Sequence, residues 1–368
     1  MRIAFISPFL FRYRRGLERL TTNMAERLSS KDCSVVVISW DGPIKNKMDY
    51  NNRFQIVKIP YSRYFQAYLA SLYYLLFFFF NKFDFINVFF TWHGENIPLY
   101  ILYLLKKQKF NIILPNPLSQ IPHRIEQYKK FNLHKKAKTI IAQSNFYKRE
   151  TEGIFNRVVQ YIPNGVETQF FKPDEKRKEE LREQLGINKE KCLFLTVSAF
   201  EERKGIREFI KAISLVKGIK DKLEYFVIGE IDDKNYYEEI KNLIISEGLT
   251  DIVKIYLPVE DILSFYQLTD CFVLLSTGEG SPNALLEAMS CGLPVLASKE
   301  PPFDESINEE FGFLLDKKNV KEISEAIFTL SSNKELRIEM GEKARNHAIN
   351  NFSLEKITVR YIQLFSSE

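Results

Sequence analysis

The stretch from Cys271 to Ala297 constrains the fold more than any other part of the chain. Cys271-Phe272-Val273-Leu274-Leu275 is an unbroken apolar run of strand length and reads as a buried strand. Ser276 to Gly280 form a turn. Ser281 is a good N-cap, and Pro282 suits the first helical position, where its missing N–H costs nothing. Ala284 to Ser290 is then a short helix, stopped by Gly292 and Pro294. Val295-Leu296-Ala297 opens the next strand. Strand, turn, helix and strand in that order belong to an α/β fold with a parallel sheet.

The same stretch carries chemistry. In this reading the first N–H groups of the helix, on Asn283, Ala284 and Leu285, point back into the turn. A helix N-terminus carries about +0.5 of a charge and is a ready anion site. Two carboxylates bracket it. Glu279 sits on the loop beside Gly280; Glu287 sits inside the helix among Leu285, Leu286, Ala288 and Met289. A glutamate in such company is costly unless something satisfies it. Two placements fit: a carboxylate accepting from both hydroxyls of a ribose, or a side chain on a solvated helix face.

The string as a whole resembles the signature of retaining glycosyltransferases of family 4. Their two glutamates are spaced Glu-x7-Glu and followed by Ala-Met-x-x-Gly-x-Pro-Val, matched here from Glu279 to Val295. Tyr161-Ile162-Pro163-Asn164-Gly165-Val166-Glu167 is similar to the family's closing of its first domain. Gly16-Leu17-Glu18-Arg19 resembles its glycine loop, with Arg15 in place of the first glycine. Lys204-Gly205 matches the Lys-Gly that follows the first strand of the second domain, but Ala199 occupies the expected arginine position. Arg203, beside Lys204, has two open placements: it takes over for that arginine, or it faces solvent.

The resemblance implies the GT-B arrangement, two Rossmann-like domains with parallel sheets facing across a central cleft. The expected division is 1–168 for an acceptor-binding domain and 169–350 for a nucleotide-sugar-binding domain. Residues 351–368 are expected to form a terminal helix crossing back to the first. The implied reaction moves a sugar from a nucleotide diphosphate, UDP- or GDP-linked, to a hydroxyl of a glycan or glycolipid, with retention. In that scheme Lys204, Arg203 and the helix start at Asn283, Ala284 and Leu285 hold the diphosphate, and Gly16, Gly280, Ser281 and Pro282 also contact the donor. Glu279 holds sugar hydroxyls near the reacting carbon, and Glu287 holds the ribose. No cofactor beyond the donor is expected, and no Asp-x-Asp triplet occurs that would hold a metal. Two competing readings are a nucleotide-sugar 2-epimerase of the same architecture and a non-catalytic nucleotide-sugar-binding partner.

Elsewhere the chain supports two Rossmann-like halves. With 368 residues it is long enough for two cores. Ile3 to Ser7 reads as strand one, Arg12 to Arg19 as the loop after it, Leu20 to Leu28 as a helix, and Val35 to Ile38 as strand two. Thr91-Trp92-His93-Gly94-Glu95 follows the Asp84 to Phe90 strand at its carboxyl end, where ligands bind in open parallel sheets. His93 and Glu95 are therefore candidates for acceptor contact, with a structural histidine as the alternative. The histidine that many family members carry after the next strand is absent from Pro115-Asn116-Pro117. The charged run Pro173 to Gly186 reads as a solvated passage and a first helix. Asp232-Asp233 reads as a solvated pair in a loop.

Tyr64 to Phe80 has no charged residue. As a helix it spans about 26 Å, short of a roughly 30 Å hydrocarbon core, so a spanning segment is disfavoured. Core packing is one placement; an aromatic face dipping into a membrane interface, helped by Arg63, Lys82, Lys106, Lys107 and Lys109, is the other. Net charge is +5 and 27% of residues are charged, without a long basic run, so nucleic acid is not expected as a partner. Cys33, Cys192, Cys271 and Cys291 stand singly, and Cys33, Cys271 and Cys291, in or beside apolar elements, read as core thiols. With no cleavage site after the first strand, a cytoplasmic location is expected, at most at the inner face of the membrane.

Overall fold

A computed structural model describes residues 1–7, 16–41, 54–60, 66–89, 96–106, 110–114, 125–126 and 129–366. It divides into two compact units. One comprises Met1–Gly165 with Leu354–Glu368; the other is Val166–Ser353.

Among the described residues the first unit holds a seven-stranded sheet of β1 (Arg2–Ile6), β2 (Ser34–Asp41), β3 (Gln55–Pro60), β4 (Phe85–Phe89), β5 (Phe110–Leu114), β6 (Thr139–Ala142) and β7 (Gln160–Tyr161). Their spatial order is 3-2-1-4-5-6-7, and every pair is parallel. The second unit repeats the plan. Its strands are β8 (Cys192–Val197), β9 (Leu223–Ile228), β10 (Val253–Tyr256), β11 (Cys271–Leu274), β12 (Val295–Ser298) and β13 (Gly312–Leu315). They run 10-9-8-11-12-13, again all parallel. Each is a doubly wound Rossmann-type sheet.

A parallel sheet is covered on both faces, so its central strands are buried and mostly apolar, with Asn87, Asn111 and Glu224 as buried exceptions. β4, β5, β9 and β11 are buried at every residue. Side chains alternate between faces. In the first unit Ala4, Ile6, Val36 and Ile38 pack with Tyr74, Phe78, Leu99 and Leu102 on one side. Ile3, Phe5, Val35 and Val37 meet Met24, Ala25 and Leu28 on the other. The last helix, Leu354–Ser366, covers that second side with Ile357, Tyr361 and Phe365; the Phe365 ring stacks on Phe85 at 4.9 Å. Gly165 allows the close entry of this helix, since a Cβ there would lie 2.9 Å from the Leu354 Cα.

Two local expectations change. The first helix is Gly16–Ser29, so Gly16 to Arg19 are helical and not part of the preceding loop. Leu17, Glu18 and Arg19 are good helix formers, which extends the helix toward the strand. The charged segment after Pro173 is not wholly solvated. Its helix, Glu175–Gln184, buries Leu181 and Arg182, and Arg182 pairs with Asp270 just before β11. Asp232 and Asp233 are exposed, as expected, and Asp233 in addition caps helix Lys234–Ser246 by accepting from the amides of Asn235 and Tyr236 at 2.9 and 3.1 Å.

The aromatic segment forms helix Gln66–Phe80, with one part of its surface in the core and another exposed. Tyr74 and Phe78 are buried, while Leu72, Leu76, Phe79 and Phe80 are exposed, Phe80 at 77%. The neighbouring helix Asn96–Lys106 exposes Leu104 and Leu105. Among the described residues no helix is long and apolar enough to cross a membrane.

Candidate active site

In the second unit the strand order reverses between β8 and β11, which pair through Cys271 opposite Phe194 and Phe272 opposite Leu195. Ligands of open α/β sheets bind outside the carboxyl ends of the strands at such a reversal. The two loops that leave these ends, 198–205 and 275–282, carry most of the residues singled out in the sequence.

The loops are knitted together. Glu202–Lys204 is a single 3-10 turn, followed by Gly205 at φ 74°. A Cβ on Gly205 would lie 2.2 Å from the Leu275 carbonyl oxygen, so both its backbone angle and its neighbour demand glycine. The Thr277 amide donates to the Arg203 carbonyl at 3.0 Å, and the Arg203 guanidinium donates to the Thr277 carbonyl at 3.3 Å. This fastening carries the cations to the carboxylate. Lys204 Nζ lies 2.5 Å from Glu279 Oε1, and Arg203 reaches the same oxygen at 3.0 Å. Arg203 also pairs with Glu201 at 2.6 Å. The Lys204 and Glu279 side chains are only 12% and 14% exposed. Burial alone would raise the Glu279 carboxyl, but the charges of Lys204 and then Arg203 outweigh it and hold it below its ordinary value. Of the two placements open for Arg203, the structure thus gives a half-exposed side chain turned onto Glu279.

The helix after this turn is Asn283–Ser290, with Pro282 as N-cap and no side-chain capping bond. Ser281 is therefore not the cap, and Pro282 lies one position earlier than expected; both are acceptable helix-start residues, and local pattern does not separate them. The Leu285 amide donates back to the Pro282 carbonyl at 3.1 Å. That tight first turn removes Leu285 from the expected set of outward amides, leaving Asn283 and Ala284 as the first two helical residues. Gly280 is buried and Ser281 is half-buried in the turn.

Glu287 is 5% exposed, which excludes the solvated placement. Its Oε2 accepts a hydrogen bond from the Tyr266 hydroxyl at 2.9 Å. Tyr266 and Glu201 had no motif to mark them. The available signal for Tyr266 was general: a tyrosine on the buried face of an apolar helix needs a partner for its hydroxyl. His93, Glu95 and the arginines before Gly16 lie outside the described residues.

Two family models match the chain, Glycosyltransferase Family 4 over residues 14–170 and Glycosyl transferases group 1 over residues 177–347. The chain belongs to glycosyltransferase family 4. This family-4 chain is 28% identical over 195 residues to the capsular polysaccharide biosynthesis glycosyltransferase CapM of Staphylococcus aureus, covering 53% of this chain and 50% of CapM. It is also 28% identical over 215 residues to the N,N'-diacetylbacillosaminyl-diphospho-undecaprenol alpha-1,3-N-acetylgalactosaminyltransferase of Campylobacter jejuni, covering 57% and 54%. The chain thus spans about half the length of the curated relatives it matches. Among solved structures it resembles HepE of Anabaena in complex with UDP, with a TM-score of 0.85 at 19% identity and all of both chains covered. That likeness gives the fold, GT-B, as expected.

Proposed function

We propose that the protein is a retaining glycosyltransferase that moves a sugar from a nucleotide diphosphate to the hydroxyl of a glycan or lipid-linked glycan. The observation that carries this reading is the Lys204–Glu279 pair at the strand reversal, beside the open end of the Asn283 helix. As the bond between the anomeric carbon and the diphosphate breaks, negative charge gathers on the departing oxygen. Lys204, Arg203 and the first helical amides supply fixed positive potential there, where each well-placed donor contributes about 3 to 4 kcal/mol. Glu279 sets Lys204 in place and offers its carboxylate to the sugar hydroxyls. Glu287 takes the ribose, and His93 and Glu95 take the acceptor. With the leaving phosphate on the same face as the incoming hydroxyl, the phosphate accepts the proton, and configuration is retained. HepE, solved with UDP, supports a nucleoside-diphosphate donor, and the Campylobacter relative's undecaprenol-linked acceptor supports a lipid-linked one.

The test is a panel of UDP-, GDP- and ADP-sugars incubated with purified protein. Release of free sugar with retained configuration is the expected result. An isomerised donor, or tight binding with no turnover, would overturn the reading. Turnover is also expected to survive excess EDTA; a loss restored by Mg²⁺ or Mn²⁺ would sink the assignment of charge neutralisation to Lys204 and Arg203.

Membrane contact is part of the same reading. Leu72, Leu76, Phe79 and Phe80 follow helical spacing along one flank of an uncharged helix, with Leu104 and Leu105 exposed on its neighbour. Lys129, Lys130 and Lys135 are exposed near the start of β6, and Lys82 near that of β4. Apolar residues rimmed by lysine suit an anionic bilayer surface. The protein is expected to float with phosphatidylglycerol vesicles and to lose most of that binding as Leu76→Ser/Phe80→Ser. Equal flotation of both proteins would remove this helix from the contact.

A further inference from the structure

Buried carboxylates in a binding site need their rotamer held as well as their charge satisfied. Glu287 sits mid-way along an eight-residue helix whose buried neighbours Leu285, Leu286, Ala288 and Met289 offer no hydrogen bond, while the buried Ser290 hydroxyl donates to the Phe171 carbonyl at 2.5 Å. One donor that reaches it comes from outside this helix. Tyr266 lies on helix Ile262–Leu268, which Asp261 caps by accepting from the Ser264 amide at 3.1 Å. Its side chain is fully buried. The ring is wedged edge-on against Phe171 at 5.8 Å and tilted against Phe272 at 6.0 Å, so the hydroxyl has one direction to point. That direction is Glu287 Oε2, at 2.9 Å.

We propose that Tyr266 is a positioning residue for the nucleoside end of the donor: its hydroxyl fixes the Glu287 carboxylate in the orientation that receives the ribose diol. The inference rests on the reading of Glu287 as the ribose ligand. A glutamate side chain has three rotatable bonds, and anchoring one oxygen on a ring that cannot turn removes most of its freedom before the ligand arrives. Preorganisation of that kind improves binding by lowering the ordering cost. It also predicts selectivity. A merely structural tyrosine would affect all ligands alike, whereas a positioning tyrosine affects those that carry the diol.

The experiment is calorimetric titration with UDP and GDP and with their 2′,3′-dideoxy counterparts, on wild type, Tyr266→Phe and Glu287→Gln. Wild type is expected to bind the parent nucleotide about tenfold more tightly than its dideoxy form, the worth of one hydrogen bond to a charged group. Tyr266→Phe should lose most of that ratio while binding the dideoxy nucleotide as wild type does. Replacing Tyr266 with p-aminophenylalanine keeps a donor at similar reach and should restore the ratio. Replacement with p-methylphenylalanine keeps the packed volume without the donor, and stands in for Tyr266→Phe if that variant does not fold. An unchanged ratio in the donor-less variants, with the ratio lost in Glu287→Gln, overturns the role of Tyr266 alone. A wild-type ratio in Glu287→Gln overturns the ribose reading itself, and the inference with it.

Discussion

Lys204→Ala is expected to slow turnover about 100-fold or more, close to the effect of removing one donor from an oxyanion site. That corresponds to roughly 2.7 kcal/mol of transition-state stabilisation. On the proposed reaction the loss should fall on kcat, since there the ammonium meets charge that develops only as the diphosphate leaves. A second signature follows from Glu279. Lys204 is the main charge holding that carboxyl below its ordinary value. Without it the carboxyl rises, so the acid limb of the residual pH–rate profile should move to higher pH. Steady-state kinetics across pH 4 to 8 check both parts. Wild-type turnover in the variant would show that the phosphate assignment is wrong.

The largest effect on stability is expected at Asp270, far from any proposed substrate contact. Its carboxylate pairs with Arg182 and with Lys178 at 2.9 Å, and accepts from the Leu193 amide at 2.9 Å. Arg182 is itself buried and also donates to the Leu268 carbonyl at 2.9 Å. Asp270→Ala leaves a buried guanidinium without its counter-charge, and such losses cost about 3–5 kcal/mol. Urea unfolding measures it; a change under 1 kcal/mol would contradict the picture. The pH dependence has a definite sign. Burial would raise the Asp270 carboxyl, but Lys178 and Arg182 outweigh burial and hold it low. The stabilisation is therefore complete above the unfolded value of about 3.9 and disappears as pH falls through the lower native value. Acid unfolding of the variant should be correspondingly less steep.

These two sites show what was legible beforehand. The strands were, because parallel strands buried on both faces read as unbroken apolar runs such as Cys271 to Leu275. The Lys204-Gly205 and Glu279 to Glu287 strings were, because backbone demands on a turn and a helix start are local. Arg182 was not. Eight of the ten residues of its helix are charged and signal solvent, and the partners that hold Arg182 inward, Asp270 and the Leu268 carbonyl, lie 88 and 86 positions later. Tyr266 and Glu201 were missed for the same reason: their partners are set by packing between elements. The Pro282 start differs from the Ser281 expectation by one position, the scale on which capping signals compete.

The Asn283 helix begins without a side chain closing its first turn. A capping residue contributes about 1 kcal/mol to a helix, and this one goes without at the end assigned to phosphate. A ligand that binds only the folded chain adds RT ln(1 + L/Kd) to its stability, where L is its free concentration. The substrate would then serve as a borrowed stopper for the helix. Heat resistance of the whole second unit should consequently rise and fall with the cell's supply of activated sugar.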